Sequence, residues 1–365
     1  MTAVSMFEQL SLVEKSAVSL DSVEEDYVLD VAAQRGDGEY IAATSSNHTI
    51  RLFSGSNLAS VGTIRGHTDV ISGISWGKHE PHLLYSASKD KSVRCWDTRT
   101  KLTKEVQKLE GSSETQNQFT CIDINASDRV LCAGQEADDD ENAFILFWDK
   151  RSSELLGAYC ESHQDDITQV CFHPTNPDSL ATGSTDGLSC LFDISETDED
   201  DALSYTWNTC STVAKVGWCG ENFSSVYCTT HIDTFHVWDS VEGDPVFEVT
   251  DLKDVLQGKD CVEYIVDCLS CESSDLHLLA GKHNGELKIV ELSKKGNPKV
   301  NCTLDGGHSA TVRCLYWNSK NNTLLTGAED SLLCLWSTSH DTQHSANHKA
   351  KLKSKKAVTR RSNPY

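Results

Sequence analysis

Residues 66–97 read GHTDVISGISWGKHEPHLLYSASKDKSVRCWD. Three apolar, alternating runs stand in this stretch: Val70–Trp76, Leu83–Ser88 and Ser92–Trp96. The polar, turn-forming His79–His82 and Lys89–Lys91 separate them. Period-two alternation over about five to seven residues, bounded by turn formers, predicts β-strands. Three such strands make a small antiparallel meander. That sheet buries only one face well and is marginal alone, so it needs neighbours.

Copies of the stretch supply them. Residues 307–336 read GHSATVRCLYWNSKNNTLLTGAEDSLLCLW. They repeat a Gly-His pair, a strand ending in Trp, a second strand with Ser or Thr, an Asp and a third strand ending in Trp. A third copy runs from His163 to Asp193, with Phe192 in the place of the last Trp. Seven strand-end marks follow: Phe53, Trp96, Trp148, Phe192, Trp238, Val290 and Trp336, spaced about 40 to 50 residues apart. With Gly-His and Trp-Asp at its ends, this repeat resembles the WD40 family. The resemblance implies an all-β, seven-bladed propeller in which each repeat is one four-stranded blade. It also implies a protein-binding scaffold rather than an enzyme.

The chain then divides into an N-terminal segment 1–20, a propeller 21–339 and a basic tail 340–365. Trp336 leads almost directly into the tail, so the last blade lacks an outer strand. The resemblance implies that the segment Leu10–Val18 fills that gap, and closure removes edges open to aggregation. The tail has almost no apolar pattern and is expected to be disordered.

No run of 18 apolar residues is present, so no membrane span is expected. The first 15 residues lack a secretory pattern. The 15 cysteines are therefore expected as free thiols inside a cell, nuclear or cytoplasmic. Cys95, Cys121, Cys171, Cys190, Cys314 and Cys334 sit in apolar strand runs, where a thiol acts as a small hydrophobe.

Chemistry-bearing residues follow the repeat. The family resemblance implies hydrogen-bonded sets of His67, Ser86, Asp90 and Trp96 in blade two, and of His308, Thr326, Asp330 and Trp336 in blade seven. Blade four offers His163, Thr182 and Asp186, but Phe192 cannot donate. These sets imitate hydrolase triads, yet their spacing repeats with the fold and no nucleophile elbow appears, so no catalytic residue is assigned. Cys268-Leu-Ser-Cys271 lacks a second ligand pair, and His340, His344 and His348 lie in the polar tail. No metal or cofactor is expected.

Three features bear on partners. The net charge is -23, and residues 1–339 alone carry 25 basic against 54 acidic side chains. Ten acids cluster in two insertions: Glu136, Asp138, Asp139, Asp140 and Glu141, then Glu196, Asp198, Glu199, Asp200 and Asp201. One insertion joins the second and third strands of its blade and the other the third and fourth, so they are expected on opposite faces. Such a ring repels phosphates. It suits a basic protein, such as a ribosomal protein or a histone, held by a monomer. Second, Trp96-Asp97-Thr98-Arg99 and Trp148-Asp149-Lys150-Arg151 resemble the paired motif of cullin-4 ubiquitin-ligase substrate receptors. That resemblance implies adaptor contacts at Arg99 and Arg151. Third, Lys349, Lys351, Lys353, Lys355, Lys356, Arg360 and Arg361 read as an import signal.

Overall fold

The computed structural model describes residues 6–18, 26–34, 40–112, 115–269, 276–293 and 296–338. The tail, Cys271 and the three tail histidines lie outside the described residues.

Seven four-stranded antiparallel sheets form among the described residues. Blade one is Val28–Ala33, Tyr40–Ser45, Thr49–Ser54 and Ser60–Ile64, and blade two is Ile71–Trp76, Leu83–Ser88, Val93–Asp97 and Gln107–Leu109. Blade three is Phe119–Ile124, Val130–Gln135, Ile145–Asp149 and Glu154–Tyr159. Blade four is Ile167–Phe172, Ser179–Ser184, Leu188–Asp193 and Leu203–Asn208. Blade five is Val213–Cys219, Ser225–Thr230, Phe235–Asp239 and Pro245–Val249. Blade six is Tyr264–Leu269, Leu276–Gly281, Leu287–Ser293 and Gly296–Leu304. Blade seven takes Val312–Asn318, Thr323–Ala328 and Leu332–Ser337 from the end of the chain and Ser11–Ala17 from its start. Leu12 lies opposite Trp336 and Ala17 opposite Leu332. The ring is thus closed by the N-terminal strand, and each of the seven strand-end marks falls in the third strand of its blade.

The first strands of all seven blades line one central cavity. The cores lie between sheets, because each apolar face is completed only by the next blade. Ile50 and Leu52 of blade one pack with Ile74, Leu84 and Trp96 of blade two. Phe7 and Leu10 pack with Leu279 and Trp336 where blades six and seven meet. Burying one such side chain is worth about 1.5–3 kcal/mol. Indoles also bridge blades: Trp76 Nε1 donates to Ala32 O at 3.1 Å and Trp218 Nε1 to Cys171 O at 3.0 Å.

Two short helices stand in connections between strands. Glu199–Ala202 is capped by Asp198, whose carboxylate accepts from Asp200 N at 3.1 Å. Its acids sit in the first turn, where the helix dipole favours them. Leu252–Val255 lies in the connection between blades five and six and buries Leu252.

Candidate functional site

The repeated histidines come first. In blade two, Trp96 Nε1 donates to Ser86 Oγ at 2.8 Å, Ser86 Oγ meets His67 Nε2 at 2.7 Å, and His67 Nδ1 meets Asp90 at 2.8 Å. Blade seven repeats this with Trp336 to Thr326 at 2.9 Å, Thr326 to His308 at 2.7 Å and His308 to Asp330 at 3.2 Å. One direction of donation satisfies each chain: indole to hydroxyl, hydroxyl to Nε2, Nδ1–H to carboxylate. The hydroxyl is thereby spent on the imidazole, and Ser86 and Thr326 are fully buried.

Blade four keeps His163 at 2.8 Å from Thr182 and 3.0 Å from Asp186. Phe192 donates nothing. Burial alone would lower His163, but Asp186 and the Cys190 sulfur outweigh it and raise the imidazole to about 9. In His67 burial wins and lowers the imidazole, helped by Arg94, which also binds Asp90 at 3.3 Å.

Arg99 and Arg151 have the same geometry. Arg99 Nε donates to Asp97 Oδ1 at 3.0 Å and its Nη2 to Oδ2 at 2.7 Å. Arg151 grips Asp149 at 3.0 and 2.5 Å. The two side chains are 65% and 63% exposed. Each guanidinium fork is therefore occupied by the Asp of its own Trp-Asp pair, with the outer N–H groups facing solvent.

The acids divide into working and free. Glu136 pairs with Lys89 at 2.6 Å. Asp138 closes its own loop, accepting from the backbone of Asp140 and Asn142 at 2.9 Å each. Asp198 is the helix cap. Glu199 accepts from the N–H groups of Cys160, Glu161 and Ser162 at 2.6, 3.0 and 2.8 Å. Asp139, Asp140, Glu141, Glu196, Asp200 and Asp201 are exposed and make no ion pair among the described residues. The insertions leave their third strands at opposite ends, yet Glu199 ties the second one to the connection between blades three and four.

Sequence reasoning did not single out the central cavity, of about 290 Å³. Asp30, Lys215 and Asp267 line it. Burial raises Asp30 and Asp267 against the pull of Lys215. Asp30 accepts from Ile74 N at 3.1 Å, and Asp123 from Phe172 N at 3.0 Å, so both tie one blade to the next. A charge in the middle of a strand otherwise apolar (VLDVAA, FTCIDI, VAKVGWC, YIVDCL) was the available signal. Among the described residues, no group of three or more His, Cys, Asp or Glu gathers as a metal site. The described cysteines are free thiols, and Cys95, Cys121, Cys190, Cys314 and Cys334 are buried. No described helix is long and apolar enough to cross a membrane.

Comparison with known proteins agrees with this architecture. The family described as WD domain, G-beta repeat matches residues 58–97, 154–193 and 299–337. The chain is 29% identical over 332 residues to WD repeat-containing protein GTS1 of Arabidopsis thaliana, covering 87% of this chain and 82% of that protein. It is 26% identical over 354 residues to the WD repeat-containing protein 89 homolog of Dictyostelium discoideum, covering 93% of each. A shorter likeness, 31% over 148 residues, links 40% of the chain to 14% of the GATOR2 complex protein WDR59 of Homo sapiens.

Proposed function

We propose, from the premise that this chain is a WD40-repeat β-propeller, that it is a scaffold without catalytic chemistry whose acidic ring holds a basic protein partner. A ribosomal protein or a histone has the required chemistry. One observation carries the reading: Asp139–Glu141 and Glu196, Asp200 and Asp201 stand exposed and unpaired among the described residues, on a body already strongly negative. Uncompensated like charges held on short insertions repel each other, and a polycation relieves that repulsion. A WD-repeat relative that is named for a complex supports the scaffold class.

The test is affinity capture of the full chain with mass spectrometry, beside a variant with Asp139→Asn, Asp140→Asn, Glu141→Gln, Glu196→Gln, Asp200→Asn and Asp201→Asn. Basic proteins are expected on the wild type, lost in the variant and in high salt. Neutral or acidic proteins held equally by both would overturn the reading. We assign nuclear entry to the basic tail. A fluorescent fusion that lacks residues 340–365 is expected to stay cytoplasmic, and unchanged nuclear signal would refute it.

The second reading, a cullin-4 substrate receptor, draws on the matched presentation of Arg99 and Arg151 on adjacent blades. The same capture with Arg99→Ala and Arg151→Ala tests it. The adaptor must appear with the wild type and vanish with the double variant.

A further inference from the structure

Among the described residues, five charged side chains line the central cavity: Asp30, Asp123, Lys215, Asp267 and Arg313. The lining residues belong to the first strands of the blades, and all seven of those strands are described in full. Two of the five charges are answered locally. Asp123 meets Lys78 at 3.1 Å, and Arg313 pairs with Glu329. The other three, Asp30, Asp267 and Lys215, form an unbalanced set of two carboxyls and one ammonium.

None of the three is paired. The Lys215 ammonium makes no hydrogen bond or ion pair among the described residues, although its charge pulls on both carboxyls. Asp30 accepts only from backbone, Val31 N at 2.8 Å and Ile74 N at 3.1 Å. Asp267 takes Cys268 N at 2.7 Å and Tyr227 Oη at 2.9 Å on the same oxygen, which leaves Oδ2 to the cavity. Burial raises Asp30, and the Asp267 charge adds to it, so the two carboxyls repel each other. Thr168 Oγ1, in the same lining, is buried without a partner. Gln169 spends its Oε1 on Val216 N at 3.3 Å and keeps its amide N–H groups unused. Charges and polar atoms in so enclosed a place are costly unless answered. At about 290 Å³ the cavity stands just below the usual range of ligand pockets, roughly 300–1,000 Å³, so its guest is small.

We infer that the central cavity is a binding site for a free basic amino acid. Such a molecule carries one carboxylate and two cationic groups, the inverse of Lys215, Asp30 and Asp267. Its carboxylate meets the Lys215 ammonium, its cationic groups meet Asp30 and Asp267, and Thr168 and Gln169 add neutral hydrogen bonds. Lys215 sets this guest apart from a plain diamine, and the two carboxylates set it apart from an acidic amino acid. The site lies inside the ring, away from the exposed acids that hold a protein partner, so the two readings stand or fall separately.

The test is calorimetry of the full chain with L-lysine, L-arginine, L-glutamate, cadaverine and Gly-Gly-Lys. Cadaverine is lysine without its carboxylate, and Gly-Gly-Lys has its lysine α-nitrogen in an amide. The wild type is expected to bind lysine or arginine at a single site, to bind cadaverine and Gly-Gly-Lys about tenfold more weakly, and to ignore glutamate. Lys215→Met removes no hydrogen bond from the wall; it is expected to fold and to lose the preference for lysine over cadaverine. Asp267→Asn, checked for an intact unfolding transition, is expected to weaken lysine about tenfold or more. The inference is overturned if neither lysine nor arginine binds, if lysine binds no better than cadaverine or glutamate, or if Lys215→Met keeps the wild-type preference. Tighter binding of Gly-Gly-Lys than of lysine would move the site to peptide C-termini and overturn its assignment to a free amino acid.

Discussion

Gly66 and Trp96 touch so closely that a Cβ on the glycine would lie 2.7 Å from Trp96 Cη2. Gly307 stands against Trp336 in the same way, closer still. The Gly-His at one end of a repeat and the Trp at the other are therefore one packing unit: the indole needs the space that the missing side chain leaves. Blade four obeys the same rule from the other side. It has Ser162 before His163, and the smaller Phe192 at the strand end. Gly66→Ala is expected to cost about 1–3 kcal/mol, as overpacking of a close-packed core does, read as a lower urea midpoint at unchanged slope. Phe192→Trp is expected to destabilise alone and to be tolerated when joined with Ser162→Gly. Equal effects of Phe192→Trp in both backgrounds would break the link.

His163 and His67 should titrate in opposite directions. The raised imidazole of His163 gives stability that is full below its ordinary value, roughly 6.5, and that is lost as pH rises through about 9. His67, lowered by burial, gives stability that is full above roughly 6.5 and is lost as pH falls through its depressed value. Denaturant unfolding of the wild type between pH 6 and 10 should therefore slope downward, and His163→Gln should remove part of that slope. NMR should find His163 charged and His67 neutral at pH 7.5. A neutral His163 at that pH would show that Asp186 does not outweigh burial.

The sequence was legible wherever a residue's environment repeats. Phe53 and Val290 carry no Trp-Asp mark, yet their spacing placed them, because the strand-end position of each of those third strands is fully buried and apolar. Leu10–Val18 was readable through a gap: Trp336 had no strand after it. The outer strand Glu154–Tyr159 was not readable, since only Tyr159 is buried and no alternation survives. The helix Glu199–Ala202 was hidden for another reason. At four residues it is too short to form on its own propensity, and it is held by its cap and by contacts some 37 residues back in the chain. The intramolecular partners of the working acids were hidden by the same limit. Charge density is visible in sequence, whereas the N–H groups that Glu199 serves are visible only in three dimensions.

Asp128 illustrates what such a hidden carboxylate contributes. It lies in blade three at φ 56°, and its two oxygens accept from the N–H groups of Lys78, His79 and Glu80 in blade two at 2.6, 2.7 and 3.0 Å. Its side chain is nearly enclosed, with Lys150 at 3.9 Å. Asp128→Ala strands three donors at a blade seam. A loss of about 2–3 kcal/mol is expected, the range for hydrogen bonds to a buried charged group. Hydrogen exchange should localise the new opening to residues 77–80. A uniform rise in exchange across the ring would mean that the seam does not open on its own.

Arg99 and Arg151 allow the separation of a structural from a docking role. The Arg99 hydrogen bonds hold the Asp97 carboxyl down at about 2, and Arg151 does the same for Asp149, more strongly. Depressed carboxyls give stability that is present at neutral pH and lost only as pH falls through those low values. Both arginines are well exposed, where solvent screens such pairs and their net worth is small. Arg99→Ala with Arg151→Ala is therefore expected to lower the unfolding midpoint at pH 7 only slightly, while NMR titration finds the Asp97 and Asp149 carboxyls moved up toward the usual carboxylate range. A partner lost from this double variant is then lost through docking and not through unfolding. If the midpoint falls clearly at pH 7, the two forks belong to the stability of their blades, and the variant cannot report on an adaptor.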